Sequence, residues 1–426
     1  MAENILFEDE RSTTEANLYW YEEGFSEGGV VRDHTIGQRG SAKAASALQD
    51  IKIIDVDTHI TEAQDLWTSR APAGLKDKMP YTKHVDGVDR WFVLDRPFGL
   101  IGGNVINPKG DKLHGRLGFP TFETGHPGAW DMKARTQFMD ANGIYAQIAY
   151  QNSGVTQAGS LVALGDNELA LTIIKLFNDA AHDNQVASGQ RVFPMAQLPI
   201  WDRQELNREA RRCVEDLKIR GFSMPDTPEH WGLPSYEDEY WTEFLEFCEA
   251  SATPLNFHLS SGMDGWSLTW GSMRFEQRLA VTAMMQSLGC AATLGNFIIS
   301  GLLDRHPALK ICLVESGIGW VTFALEALEH QINEMIPDRA VRFQRTPKEY
   351  FKDQFYATFW FEEAAPMKHL AELGYDNVMF ETDFPHPTSL YPMAAQHAAC
   401  VLEEYPIDVK RRVLQDNAAR LYKIEI

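Results

Sequence analysis

IKIIDVDTHI, residues 51–60, is the stretch on which the fold turns. It is short and β-branched, the composition of a strand buried on both faces. It runs out in Asp57, Thr58 and His59, so chemistry-bearing residues sit at its end. Seven further runs have the same form: IYAQIAYQ (144–151), RVFPMAQLPI (191–200), IRGFSMPD (219–226), PLNFHLS (254–260), KICLVES (310–316), FYATFWF (355–361) and NVMFETDFP (377–385). Between them lie segments of helical periodicity at 166–187, 203–217, 236–251, 273–288, 319–335, 364–374 and 407–422. Buried strands alternating with amphipathic helices predict an α/β fold with a parallel sheet covered on both faces. Eight such units predict a (β/α)8 TIM-type barrel with insertions. An open doubly wound sheet is the competing architecture. It normally carries a glycine-rich turn after its first strand, and none follows here.

Working outward, residues 61–130 are too long for a plain βα connection. They include a hairpin-like stretch, RWFVLDRPFGLIGG (90–103). This segment reads as an insertion over the mouth of the barrel, serving as a lid or an interface. Residues 1–50 read as an N-terminal arm, rich in glycine and acids, with an aromatic island at Tyr19, Trp20 and Tyr21. Three adjacent aromatics are expected to pack on the barrel or on a neighbouring subunit. The domain plan is therefore an arm over 1–50 and a barrel over 51–426.

The composition, 44% hydrophobic and 23% charged over 426 residues, is that of a soluble globular protein. The formal net charge is -21. Such a chain repels polyanions, and no local basic patch offsets the charge, so no nucleic-acid partner is expected. The first thirty residues are acidic without an apolar core, and no run of about 18 apolar residues occurs, so neither a signal peptide nor a membrane span is expected. The five cysteines are scattered with no C-x-x-C, which fits reduced thiols in a cytoplasmic protein.

Active sites of barrels sit at the C-terminal ends of the strands. With a period of two, Asp55, Asp57 and His59 share one face of the first strand, and Asp57 and His59 reach the mouth. Asp55, two residues deeper, reads as structural. The fifth strand carries His258 near its end, and the sixth ends in Glu315. The eighth ends in Glu381, Thr382, Asp383, then Pro385, His386 and Pro387. A lone D-x-H step is weak. Three histidines with acids at the ends of strands on one barrel face are a far more specific signal.

This constellation resembles the amidohydrolase superfamily, and within it the amidohydrolase-2 branch with the aminocarboxymuconate semialdehyde decarboxylase and resorcylate decarboxylase groups. The resemblance covers roughly residues 51–425, through IIDVDTHITE, NFHLSSG, DRHPALKICLVESGIGW, VMFETDFPHP and the closing DNAARLYKI. It implies that Asp57, His59, His258 and Asp383 are metal ligands, with Asp383 also a general base. Two positions depart from the family pattern. Asp57 stands where relatives often have His or Glu, and Glu315 stands where a histidine is common. The fourth strand ends Ser223-Met224-Pro225-Asp226, without the lysine that bridges two ions in some relatives.

Asp57, His59, His258 and Asp383 suit one divalent ion, zinc by the usual preference, with a position left open. Adding Glu315 and His386 enriches the set in oxygen and shifts the preference toward iron or manganese, as one ion or two. Trp320 and Trp360 are candidate walls of a substrate pocket, and Arg70 a candidate contact for a substrate carboxylate. The leading expectation is a metal-dependent hydrolase or decarboxylase of a small organic molecule, with Asp383 and Glu315 as catalytic groups. A dinuclear Fe/Mn oxygenase on the same barrel is the first alternative. A non-catalytic subunit paired with a homologous enzyme is the second. A homo- or hetero-oligomer with a related barrel subunit is expected.

Overall fold

The computed structural model describes residues 48, 50–112, 118–259, 265–336 and 343–426. The arm and its aromatic island lie outside the described residues. All eight expected strands are present, as β1 (Ile53–Ile60), β5 (Ile144–Gln151), β6 (Val192–Pro194), β7 (Phe222–Ser223), β8 (Leu255–His258), β9 (Ile311–Val314), β10 (Phe355–Phe359) and β11 (Val378–Phe380). They form two parallel sheets, ordered β1-β5-β6 and β11-β10-β9-β8-β7. Isolated parallel bridges, Thr58 with Phe384 and Ala196 with Phe222, connect the edges of one sheet to the edges of the other.

The strands are buried on both faces, as their apolar runs require. One set of strand residues, including Ile54, Val56, Ala146, Ile148, Phe193, Cys312, Val314 and Met379, packs together in one cluster. The alternate set, including Leu255, Phe257, Leu313, Ala357, Phe359 and Phe380, belongs to a second cluster with helical residues such as Leu206, Phe244 and Leu294. The helices start where the sequence offers caps. Asp166 accepts from the Leu169 amide, Asp202 from those of Gln204 and Glu205, and Thr346 shares a capping box with Glu349. Among the described residues no helix is long and apolar enough to cross a membrane.

The insertion holds three antiparallel strands, β2 (Tyr81–Val85), β3 (Val88–Val93) and β4 (Arg96–Leu100). The hairpin expected over 90–103 is β3–β4, and β2 adds a strand that its periodicity did not suggest. Asp86 and Gly87, both at positive φ (51° and 80°), make the tight β2–β3 turn. Trp67, Trp91 and Phe122 pack this layer against Leu169 and Ile173 of the helix Asn167–Ala187. The helix expected over 273–288 continues to Ile299, through Gly289 and Gly295.

Candidate metal centre

Phase within β1 sets the first two site residues. His59 pairs with Tyr150 and Asp55 with Gln147, so these two residues of β1 lie on opposite faces. The expected common face for Asp55, Asp57 and His59 is therefore corrected. A bulge between Asp55 and Thr58 inserts one extra residue, which carries His59 onto the face of Ile148 and Tyr150. A bulge re-aims a side chain in this way at many functional sites. Asp55 stays behind as a clasp, accepting from the Thr382 amide (2.9 Å), the Thr382 hydroxyl (2.5 Å) and Gln147 Nε2 (3.1 Å).

Three other strand ends complete the site. His258 is the last residue of β8, and Glu315 and Asp383 follow β9 and β11 in the left-handed region, at φ 53° and 59°. Non-glycine residues there carry strain that the surroundings must hold. The Glu381 carboxylate accepts from the Glu315 amide (3.0 Å), and the Asp383 amide donates to the Asp57 carbonyl (2.9 Å). His59 Nδ1 bonds the Gln151 carbonyl (2.9 Å), leaving Nε2 aimed into the site.

His258 Nε2 lies 3.3 Å from Asp57 Oδ1, 3.2 Å from Glu315 Oε2 and 3.2 Å from His59 Nε2. His59 Nε2 lies 3.3 Å from Asp383 Oδ1. His386 stacks on His59 with ring centroids 3.7 Å apart, sets Nδ1 2.9 Å from Asp383 Oδ1, and bonds Asn152 Oδ1 through Nε2 (2.8 Å). The donors fall into two groups that share His59: Asp57, His59, His258 and Glu315, and His59, Asp383 and His386. All six expected ligands are thus brought together.

The electrostatics call for a cation. Both Asp57 carboxylate oxygens are buried without a hydrogen-bond partner, a rare and costly state, while Asp383 Oδ1 meets only the rings of His386 and His59. Burial pushes the Asp57 carboxyl up to about 8, with Asp383 adding repulsion against the opposing pull of His59. Burial and neighbouring acids push Glu315 and Glu381 well above the usual carboxylate range. Burial would raise Asp383 too, but His386 and His59 hold it well below its ordinary value. Burial lowers His59 and His258 to about 4, so both rings are neutral near pH 7 and keep a lone pair for an ion. The orphaned Asp57 oxygens beside the neutral imidazoles of His59 and His258 fit a divalent cation.

Several supporting residues gave no signal in the sequence. Arg135, fully buried, donates to Gln147 Oε1 (2.6 Å) and to the carbonyls of His59 (2.8 Å) and Gly128 (3.3 Å), and lies over the Phe384 ring. Asn152 holds His386 and also accepts from the Gly103 amide (2.8 Å). Lys112, from the insertion, donates to the Ser389 carbonyl, and burial lowers its amine to about 8 against the pull of Asp383. Only a fold brings such distant residues together. Glu381 is the exception, since it stands in the strand-end motif itself.

An open cavity lies beside His258, lined by Gln151, Gln157, Gln197, Ser223, Met224 and Trp231 among others. Among the described residues its lining includes none of Trp320, Trp360 and Arg70. Trp320 donates its indole N–H to the Ser316 carbonyl (2.8 Å), Trp360 is buried in the core, and Arg70 pairs with Asp183 (2.9 Å).

The gamma-resorcylate decarboxylase of Rhizobium radiobacter is 27% identical over 312 residues, 68% of this chain and 86% of that protein. The solved structure of an amidohydrolase from Mycobacterium avium subsp. paratuberculosis matches with a TM-score of 0.68 at 19% identity, over 88% of this chain and 99% of that one. That of a dihydroxybenzoic acid decarboxylase from Polaromonas, with bound manganese and the inhibitor 2-nitroresorcinol, matches with a TM-score of 0.55 at 20% identity, over 88% and 97% of the two chains. The Amidohydrolase family model matches residues 54–424, almost the whole described chain. With its strand-end donors on that same span, this chain belongs to the amidohydrolase family.

Proposed function

We propose that this protein is a divalent-metal-dependent decarboxylase of a small hydroxylated aromatic carboxylate, built on a closed (β/α)8 barrel. One observation carries the reading. The unpartnered oxygens of Asp57 lie among His59, His258 and Glu315, with Asp383 on the other side of His59 and His258 on the wall of an open cavity. The decarboxylase relatives support the reaction, and the manganese in one of them supports that ion.

Asp57, His59, His258 and Asp383 would hold the ion. When bound, it supplies positive charge for a substrate carboxylate and an adjacent hydroxyl oxygen. His386, stacked on His59, fixes the ring and buttresses Asp383. The bond between ring carbon and carboxylate breaks, its electron pair stays on the ring carbon, and carbon dioxide leaves. The ring carbon takes a proton in exchange. Glu315 is the donor, because burial and surrounding acids favour its protonated form. The overlying insertion, whose Val105 amide donates to the Pro385 carbonyl (3.0 Å), shields this exchange from water.

The test uses manganese-loaded protein and 2-hydroxybenzoates, with release of carbon dioxide as the readout. The Glu315→Gln variant is expected to retain its ion and to lose about 100-fold or more in kcat. Absence of carbon dioxide release from every such substrate refutes the reading.

A second reading follows from the two donor groups that share His59. With Glu315 as a ligand, two ions of iron or manganese support dioxygen-dependent hydroxylation. Two ions per chain together with dioxygen uptake select it; one ion per chain selects the decarboxylase.

A further inference from the structure

The cavity beside His258 has a chemistry of its own. Its described lining contains three glutamines, Gln151, Gln157 and Gln197, with Ser223 and the apolar Ala158, Leu198, Ile200, Met224, Pro225 and Trp231. Lysine and arginine are absent from that lining among the described residues. The cavity is open and has the ligand His258 on its wall, so it gives room for a further part of a molecule held at the ion.

Two of the glutamines are fixed. Gln197 Nε2 donates to Gln151 Oε1 (2.7 Å). The Gln197 backbone is clamped by Asn178, which accepts from its amide (3.1 Å) and donates to its carbonyl (2.9 Å), while Glu209 accepts from the same Asn178 (2.7 Å). Gln151 is the last residue of β5, and its carbonyl takes His59 Nδ1. The pair therefore stands rigidly next to the ion site. An amide pair that shares one N–H···O bond keeps further N–H donors and a free carbonyl acceptor for a ligand, whichever way the two amides are turned. The half-buried Trp231 supplies a flat apolar wall, seated against Gly159, where any Cβ would overlap its indole.

We propose that this cavity takes the distal part of the substrate, an apolar body bearing an uncharged group that both donates and accepts hydrogen bonds, such as a carboxamide or lactam, and that it rejects a second carboxylate. The inference rests on the decarboxylase reading for the placement of the first carboxylate. A carboxylate in the distal position would leave the free carbonyl acceptor of the pair unpaired, with no lysine or arginine in the described lining to offset its charge and with the acids of the ion site close by. A buried unpaired group costs about 1–3 kcal/mol, roughly tenfold to a hundredfold in affinity. A neutral amide satisfies both members of the glutamine pair.

The experiment is titration calorimetry on manganese-loaded protein. The probes are 2-hydroxybenzoates bearing either a carboxamide or a carboxylate at ring position 4 or 5, with carbon dioxide release followed in parallel. The carboxamides are expected to bind at least tenfold more tightly than their carboxylate isosteres. In Gln197→Leu that ratio falls toward one, and in Gln197→Arg it inverts. Equal binding of the isosteres by the unmodified protein, or a ratio unchanged in both variants, overturns the proposal. Carboxamide preference without carbon dioxide release upholds the cavity and refutes the decarboxylase. Release without preference does the reverse. Failure of every probe to bind refutes both.

Discussion

Asp57 shows how one side chain encodes its need for an ion. It is buried, both of its oxygens lack hydrogen-bond partners, and the nearest polar atoms belong to His258 and His59. Asp57→Asn replaces an anionic ligand by a neutral one and is expected to lower manganese retained through gel filtration about 10- to 100-fold, read by elemental analysis. The same burial predicts the pH response of the metal-free protein. Asp55 and Asp57 are raised to about 8 and Glu62 to about 7, chiefly by burial, so the folded state holds protons that the unfolded state has already lost. Stability therefore falls as pH rises through that window. His59 and His258, lowered to about 4, act in the opposite sense only below their ordinary 6.5. The chelated protein is thus expected to have a higher Tm at pH 6.5 than at pH 8. Manganese should shrink that difference, because the ion replaces the proton on Asp57.

Among elements, β1 is the hinge of the site, and its bulge marks the limit of what the sequence discloses. The apolar runs and their polar ends were enough to locate all eight strands, and with them Asp57, His59, His258, Glu315, Asp383 and His386. Strict alternation, however, put Asp55 on the face of Asp57 and His59. A bulge is a response to the neighbouring strand, here the register with Gln147 and Ala149, and no local pattern announces it. Neither Trp320 nor Trp360 lines the cavity beside His258, for a similar reason. Trp320 and Trp360 end or follow strands, but a side chain's direction is set by packing, and the glutamines that do line the cavity look like ordinary surface residues in the sequence. Arg135 belongs to the same class. It ties the helix Met132–Ala141 to β1 and β5 through carbonyl and amide oxygens. Arg135→Met keeps the bulk and removes the donors, leaving Gln147 and the His59 carbonyl unsatisfied. A loss of about 3 kcal/mol in urea unfolding is expected.

For the whole molecule, the donors come from both sheets, from β1 in one and from β8, β9 and β11 in the other. An ion that engages them all cross-links the two sheets at one end. Chelation is therefore expected to lower the Tm of the entire cooperative transition rather than loosen one loop. At free ion about 100 times its dissociation constant the stabilisation is about 2.7 kcal/mol, a shift of a few degrees by calorimetry. The acidic balance of the chain is consistent with this design, since the fold gathers acids at its centre and the ion offsets them.

The bridge between Thr58 and Phe384 has one more consequence, for the order of events in synthesis. It joins the first strand of the fold to the residues just past the last, and it lies between the donors Asp57, His59 and Asp383. A ribosome makes Asp57 and His59 near the start of the chain and Asp383 and His386 only near its end. Until those last residues emerge, β1 lacks the bridge to Phe384, and the donors it carries have no Asp383 or His386 beside them. Capture of an ion by the full donor set is therefore expected to wait for the segment that carries Asp383, and a message cut short before codon 383 is expected to yield a protein without that ligand.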